Sequence, residues 1–321
     1  MKKFVVNKIR KIQNNIKLAY CFWSDFNYYR KQNLSTGNEC KDQMRAHIML
    51  TMHQLEKGMS FTDSARFFGG QKADVLVDMV NNYIETYEKD ELCKVAINVL
   101  NEYRKHINRT KDSAILAKID CFCDKHSVDI TEGIAGVKRI SEPMNFDEAE
   151  IEYFFSSRSS VRDYSATPIT NEEFESALHI ASFTPSACNR QAARVHHIQS
   201  KEIIQKLIDN QLGSQGWCSK ATSCFIVTIN ECYFGGGYER SQGLIDGGLY
   251  AMNFVWGLHL NHIASCFKMY IRYPKIDKEF RRISNIPENE LPIVLIMAGH
   301  YKPSNVVSPK SERLRLTDGI W

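Results

Sequence analysis

The chain has 321 residues, 43% hydrophobic and 24% charged, with 41 basic against 37 acidic side chains. Such a chain can bury a substantial core, which excludes disorder as its default state. A net charge of +4, with no basic block interleaved with aromatics in the second half, gives no case for a nucleic-acid partner.

Helical periodicity runs near 4–24, 39–57, 71–88, 90–107 and 111–125, separated by Gly, Asn, Asp and Ser. The first helix is basic and amphipathic: Lys2, Lys3, Lys8, Arg10, Lys11 and Lys17 accompany an apolar stripe of Val5, Ile9, Ile12, Ile16 and Trp23. Docking of that stripe on the protein's own core is the commoner use of such a pattern, and peripheral contact of residues 1–30 with an anionic membrane is the alternative. No run approaches the ~20 apolar residues that span a bilayer. Cys121 and Cys123 with His126 hint at a metal but lack a second ligand pair, so idle or buried thiols are expected. Ten cysteines at irregular spacing without a secretory segment fit a reducing, cytoplasmic setting. Between about 127 and 146 the pattern lapses around Ser127, Gly133, Gly136 and Pro143, which divides the chain into a helical part, 1–140, and a second domain, 141–321.

The second part mixes helices with β-rich runs, an α+β pattern. Asp147–Phe155 reads as a helix leading into Arg158-Ser159-Ser160-Val161-Arg162-Asp163-Tyr164, whose guanidinium forks and hydroxyls suit a phosphate; an exposed turn without a ligand is the plainer alternative. Thr170 and Glu173 form a capping box for a helix carrying Phe174, Ala177, Leu178 and Ala181. A loop follows, Pro185-Ser186-Ala187-Cys188-Asn189-Arg190-Gln191, with amides and a hydroxyl able to face a heteroaromatic edge. Strands are expected at 194–199, 223–230, 265–271 and 292–300, and a buried helix at 244–261 whose Gly247, Gly248, Ala251 and Gly257 let another backbone come close. Gly235-Gly236-Gly237 does not complete Gly-x-Gly-x-x-Gly, because Arg240 stands at the third glycine, so a Rossmann fold is disfavoured.

Taken in order, these patches resemble the FMN-dependent nitroreductase family over roughly residues 147–318. Arg158, Ser160, Arg162 and Tyr164 match its Arg-x-Ser-x-Arg/Lys-x-aromatic opening. Pro185, Ser186, Asn189 and Gln191 match its Pro-Ser-x-x-Asn-x-Gln loop. Ile263–Cys266 stands for a Gly-Leu-Gly-Ser-Cys-like turn after the long helix, and Gly299-His300-Tyr301 with Arg313 for the strand end and its single arginine. The resemblance implies a nitroreductase-like α+β fold, a central mixed or antiparallel sheet flanked by helices, and a homodimer with FMN at the interface. It implies that Arg158, Ser160 and Arg313 hold the phosphate, with Ser159 among the cofactor-binding residues, and that Arg162 lies beside the redox edge of the ring. Pro185, Ser186, Asn189 and Gln191 would reach the ring from the partner subunit, and Ala264 and Ser265 would offer backbone donors near it. The implied activity is ping-pong hydride transfer from NADH or NADPH to a small-molecule acceptor, with no catalytic side chain required. Ala192-Ala193 replaces the usual Pro-Trp, and the second C-terminal lysine is displaced to Lys310 or lost.

The helical part carries His53-Gln54-Leu55-Glu56-Lys57-Gly58-Met59-Ser60, then Arg66-Phe67-Phe68-Gly69-Gly70. This is similar to an extension on nitroreductase-like proteins associated with bacterial surface polysaccharide synthesis. His53 and Glu56, one turn apart, either face a pocket as an acid/base pair or brace the Gly58 turn, the second being favoured. The departures and the basic first helix motivate a second reading, a scaffold or binding protein of polysaccharide or envelope assembly that has lost flavin chemistry.

Overall fold

The computed structural model describes residues 2–33, 40–61, 69–106, 113–126, 135–138, 140, 145–211, 216–304 and 306–311, and of residues 2–5 only the backbone. These fall into two compact units, one of 1–144 with 185–192 and 230–246, the other of 145–184, 193–229 and 247–321. The division at 140/141 read from the sequence puts both short excursions in the second part; in the structure they pack with the helices.

The first unit contains α1 (Lys2–Gln32), α2 (Lys41–Met59), α3 (Gly70–Tyr87), α4 (Glu91–His106) and α5 (Ser113–Lys125). On α2 the buried positions Met44, Ile48, Met52, Leu55 and Met59 recur every three or four residues, the spacing of one helical face. They meet Leu76, Val80 and Tyr83 of α3, Ile97, Leu100 and Tyr103 of α4, and Ile119 and Phe122 of α5 in one apolar cluster. Each fully buried side chain of this kind contributes about 1.5–3 kcal/mol of transfer free energy. A polar pin crosses the cluster's edge: Tyr83 donates to Asp90 at 2.7 Å, and Arg45 donates to the Tyr83 hydroxyl at 2.9 Å and pairs with Asp90. Burial, followed by the Asp90 contact, pushes the Tyr83 phenol up to about 12. Gly69 precedes α3 in the left-handed region at φ +80°, and a Cβ there would lie 2.9 Å from Leu55 Cδ2, so glycine is required.

Two expectations about this unit change. The first helix runs to Gln32 rather than 24, and its apolar stripe does not dock on the chain's own core: residues 6–20 are all exposed. Cys121 is exposed while Cys123 is buried, with its thiol raised by burial to about 11, and His126 Nε2 lies 3.2 Å from Asn81 Oδ1. The two thiols stand two residues apart on α5 and so point to different sides of the helix. Of the motif that runs from His53 to Gly70, the Arg66-Phe67-Phe68 part lies outside the described residues.

The second unit contains α6 (Glu148–Ser157), α7 (Asn171–Ser182), β1 (Ala193–Ile198), α8 (Lys201–Asn210), β2 (Ser223–Asn230), α9 (Gln242–Leu260, from 247 onward), β3 (Ile263–Met269), α10 (Pro274–Ser284) and β4 (Glu290–His300). The four strands form one sheet in the order β1-β2-β4-β3. β1 and β2 are antiparallel with Val195 opposite Val227, and β3 and β4 are antiparallel with Cys266 opposite Met297. Strand alternation divides the core cleanly. Ile226, Leu295 and Met297 face Ile204 and Leu207 of α8 and Phe280 of α10, while Phe225, Val227, Ile296 and Ala298 face Ala177 of α7 and Phe254, Val255 and Leu258 of α9. The result is the expected α+β architecture, helices on both faces of a sheet.

α8 and α10 are additions to the sequence reading. Ser200 caps α8 by accepting from the Ile203 N–H, while α10 starts with Pro274 and stops at Asn285 in the left-handed region. The capping box at Thr170 and Glu173 forms as expected. At Gly257 a Cβ would sit 2.7 Å from the Ala177 Cα and carbonyl oxygen, so the small residue on α9 does allow a close backbone approach.

Candidate functional site

The opening of the resembling segment is built on the edge of the second unit. Asp147 caps α6 by accepting from the Ala149 and Glu150 N–H groups, and the helix ends at Arg158, whose backbone is already extended. The chain then runs beside β3: Ser160 forms a parallel bridge with Ser265, and the Val161 N–H donates to the Ser265 carbonyl at 3.1 Å. Val161 is buried while Arg162 is exposed, as alternation along an extended segment requires. The buried Tyr164 hydroxyl donates to the Val161 carbonyl at 2.7 Å and lies 3.1 Å from the Met297 carbonyl, which clamps the segment from below. Gly299 makes room for that ring, since a Cβ there would come within 2.8 Å of Tyr164 Cβ.

Charge then sorts itself. Asp163, the one acid in the segment, pairs with Lys302 at 2.7 Å and Lys220 at 3.4 Å, and those cations hold its carboxyl below the usual range. Neither Arg158 nor Arg162 has a carboxylate partner among the described residues. Arg162 donates to the Ser160 carbonyl at 3.1 Å and stacks over the Trp217 ring at 5.4 Å. Burial raises the Cys266 thiol, opposed by Arg162, a hydrogen bond to Ser160, and Arg158. A cavity of about 480 Å³ adjoins, lined by Tyr153, Phe154, Ser157, His259, His262 and Tyr301. Arg158 reaches it electrostatically: burial lowers His259 and raises Tyr301, and the Arg158 charge lowers both.

Ala264 and Ser265 lie within β3 rather than on a turn, because Ile263–Met269 pairs along its length with β4; the turn is at Asn261–His262, where His262 has φ +56°. Arg313 lies outside the described residues, and Lys310 is exposed. Trp217 joins the site without any local signal in the sequence, while Cys266, the last residue of the turn-like stretch, comes beside Ser160 and Arg162. Trp217 lies 55 residues from Arg162, and no local pattern announces their stacking.

The second motif, Pro185 to Gln191, belongs to the first unit. Three non-glycine residues there, Cys188, Asn189 and Gln191, have φ near +50°. Left-handed backbone at non-glycine positions costs of order 1 kcal/mol each and persists only where the surroundings dictate it. Here Arg190 dictates it. Its fully buried guanidinium grips Glu239 through two bonds of 2.9 and 2.8 Å, donates to the carbonyls of Tyr233 at 2.6 Å and Ala187 at 3.0 Å, and lies over Phe234. Burial alone would raise Glu239, but Arg190 and the Gly235 N–H hold it low. The Gln191 N–H donates to Ser186 Oγ and the Ala187 N–H to Asp246, each at 3.0 Å. Asn189 and Gln191 are left exposed at the lip of a cavity of about 360 Å³ that is also lined by His53, Glu56, Arg45 and Glu91. Glu56 does not brace the Gly58 turn with its side chain; its Oε1 accepts from the Gly136 N–H at 3.2 Å. Burial raises Glu56, and burial followed by Lys57 lowers His53, so both drift toward neutrality.

An α+β protein that offers two guanidiniums with no carboxylate partner among its described residues, beside two serines on an extended segment, has the donor set of an anion-binding site. Residues 155–216 match the Nitroreductase family, a segment that starts within α6 and takes in both the Arg158–Tyr164 stretch and the Pro185–Gln191 loop. No curated protein matches the chain. Similar solved structures include an FMN-dependent nitroreductase from Clostridium difficile R20291, at 17% identity and TM-score 0.41 over 47% of this chain and 88% of that one. A nitroreductase family protein from Clostridium difficile 630 is 23% identical at TM-score 0.44 over 56% of this chain and 98% of that one. A nitroreductase with bound FMN from Bacteroides fragilis NCTC 9343 is 14% identical at TM-score 0.42, over 54% and 97%.

Proposed function

We propose that the protein is an FMN-dependent oxidoreductase of the nitroreductase type, working as a homodimer on a small-molecule acceptor. The observation that carries this is the diversion of Asp163 to Lys302 and Lys220, which leaves Arg158 and Arg162, beside Ser159 and Ser160, with no acid partner among the described residues. That donor set fits a phosphomonoester and a ring carbonyl edge. When bound, FMN would supply the ring that takes hydride from NADH or NADPH and passes electrons onward.

Arg158, Ser159 and Ser160, with Arg313, would hold the phosphate by charge-assisted hydrogen bonds. Arg162, kept in place by the Ser160 carbonyl and Trp217, would stabilise negative charge on the reduced ring edge. Ala264 and Ser265 would support this face through the strand backbone. The strained loop of Pro185, Ser186, Asn189 and Gln191 would complete the site from the partner subunit. The link to surface polysaccharide synthesis rests on the His53 to Ser60 motif alone.

Titration of the purified protein with FMN, followed by quenching of flavin fluorescence, is expected to saturate at one FMN per chain. Colourless protein that quenches nothing would sink the proposal. Tight FMN binding without anaerobic reduction by either nicotinamide would favour the scaffold reading, which the Ala192-Ala193 departure supports.

A further inference from the structure

Helix α1 is fixed near its C-terminal end, and residues 6–20 are all exposed. At its C-terminal end the Tyr29 hydroxyl donates to the Gly236 carbonyl at 2.9 Å, and buried Asn33 donates to Tyr29 and accepts from Gln43. Toward the N-terminus, Ile9, Ile12, Ile16, Trp23 and Phe26 form one stripe, each 51–64% exposed. At ~1.5 Å per residue this stripe is about 26 Å long. An apolar surface of that extent is matched to an occupant.

Charge identifies the occupant. The first 24 residues contain six basic side chains and no acidic one, whereas residues 25–321 contain 35 basic against 37 acidic. The chain's whole positive excess is therefore on this helix. The stripe also has the four-three spacing of a coiled-coil seam, which makes a second copy the competing occupant. The positions flanking that seam, Lys8, Gln13, Asn15, Tyr20, Phe22 and Asn27, offer no pair of opposite charges, and pairing two copies would bring twelve cations together with no acid before Asp25. An anionic lipid surface covers the stripe and neutralises the cations at once. Among the described residues no helix is long and apolar enough to cross a membrane.

We infer that α1 lies in the plane of an anionic lipid surface, with Ile9, Ile12, Ile16, Trp23 and Phe26 in the acyl boundary and Lys8, Arg10, Lys11 and Lys17 at headgroup level. The protein would then act as a peripheral membrane protein. This goes beyond the oxidoreductase reading and does not depend on it.

The test is co-sedimentation of the full-length protein with phosphatidylcholine vesicles, with and without about a quarter phosphatidylglycerol. Wild type is expected to bind the anionic vesicles at least ~10-fold more tightly than the neutral ones, with loss of binding as salt rises from about 0.05 to about 0.5 M. The triple variant Lys8→Gln, Lys11→Gln, Lys17→Gln should lose about 100-fold in partitioning. Ile12→Asp with Ile16→Asp should lose at least as much. All five positions are exposed, so unchanged far-ultraviolet circular dichroism is expected to show that the variants fold. Equal binding to neutral vesicles, or none to anionic ones, overturns the inference. So does an Ile12→Asp, Ile16→Asp variant that breaks up a larger assembly while vesicle binding stays as in wild type, because the second copy would then be the occupant.

Discussion

The two stretches that lie within the Nitroreductase family match, Arg158–Arg162 and Pro185–Gln191, are held in place by opposite means. The Arg158–Arg162 segment is unstrained extended chain, positioned by one bridge to β3 and a buried tyrosine, and its guanidiniums have no acid partner among the described residues. The Pro185–Gln191 loop is strained, with three left-handed residues, and its own arginine is buried and fully engaged by Glu239. One arginine type therefore serves two ends: Arg158 and Arg162, without a carboxylate among the described residues, keep donors open on the surface, whereas the buried and paired Arg190 holds a backbone that exposes neutral amides. The lesson is that a guanidinium's partner list, more than its place in a motif, tells whether it is there for a ligand.

Removing the buried arginine should break this contrast most severely. Arg190→Ala leaves Glu239 without its partner and the loop without its anchor, and is expected to cost about 3–5 kcal/mol in denaturant unfolding. A loss under about 1 kcal/mol would show that the loop holds its shape without it. Gly257→Ala tests the sheet unit's packing instead. The new methyl meets Ala177 backbone, which cannot swing aside, so a net loss of about 1–3 kcal/mol is expected despite alanine's better helix propensity. Unchanged stability would mean that α7 and α9 can separate freely.

A smaller, pH-dependent effect distinguishes the sheet unit. Burial lowers His197 from 6.5 to about 4, with its ring against Phe174 and Phe225 and Nε2 2.9 Å from Ser223 Oγ. A histidine lowered in the folded state binds protons more readily when unfolded. Its stability contribution is thus complete above about 6.5 and is lost as pH falls toward 4. After allowance for partial exposure, wild type should lose about 1–2 kcal/mol between pH 7 and pH 5 from this group. His197→Phe should flatten that part of the stability profile, and an identical slope in the variant would remove His197 as its source.

Much of the fold is legible in the sequence because it rests on local periodicity. Helices α2 to α5, the capping box at Thr170, the course of α9 and the strands all follow from spacing within a window of ten to twenty residues. The burial expected for α9 holds only on one side, because Leu244, Ile245, Leu249 and Leu260 are 49–55% exposed while Phe254, Val255 and Leu258 pack on the sheet. α8 and α10 escape such a reading although Ser200, Pro274 and Asn285 mark their ends, because each is short and charged and α10 buries only Phe280. The Arg158–Tyr164 segment can be read as an anion site because its chemistry is contiguous. The affiliation of the Pro185–Gln191 loop cannot, since Arg190 and Glu239 are 49 residues apart and Asn230 meets Asp42 across 188. The exposure of α1 is equally illegible: an amphipathic stripe specifies that something covers it, not what.

The central claim is that Arg158 anchors a flavin while Arg162 tunes it, and paired measurements on Arg158→Ala and Arg162→Ala test it most directly. FMN affinity from fluorescence titration and the rate of anaerobic flavin reduction by NADH or NADPH at saturating FMN would be compared with wild type. Arg158→Ala is expected to weaken FMN binding about 10- to 100-fold, the size of a lost charge-assisted contact, with reduction of the bound flavin little changed. Arg162→Ala should slow reduction about 10- to 100-fold with FMN saturating. Equal effects of the two substitutions on both quantities would contradict the division of roles.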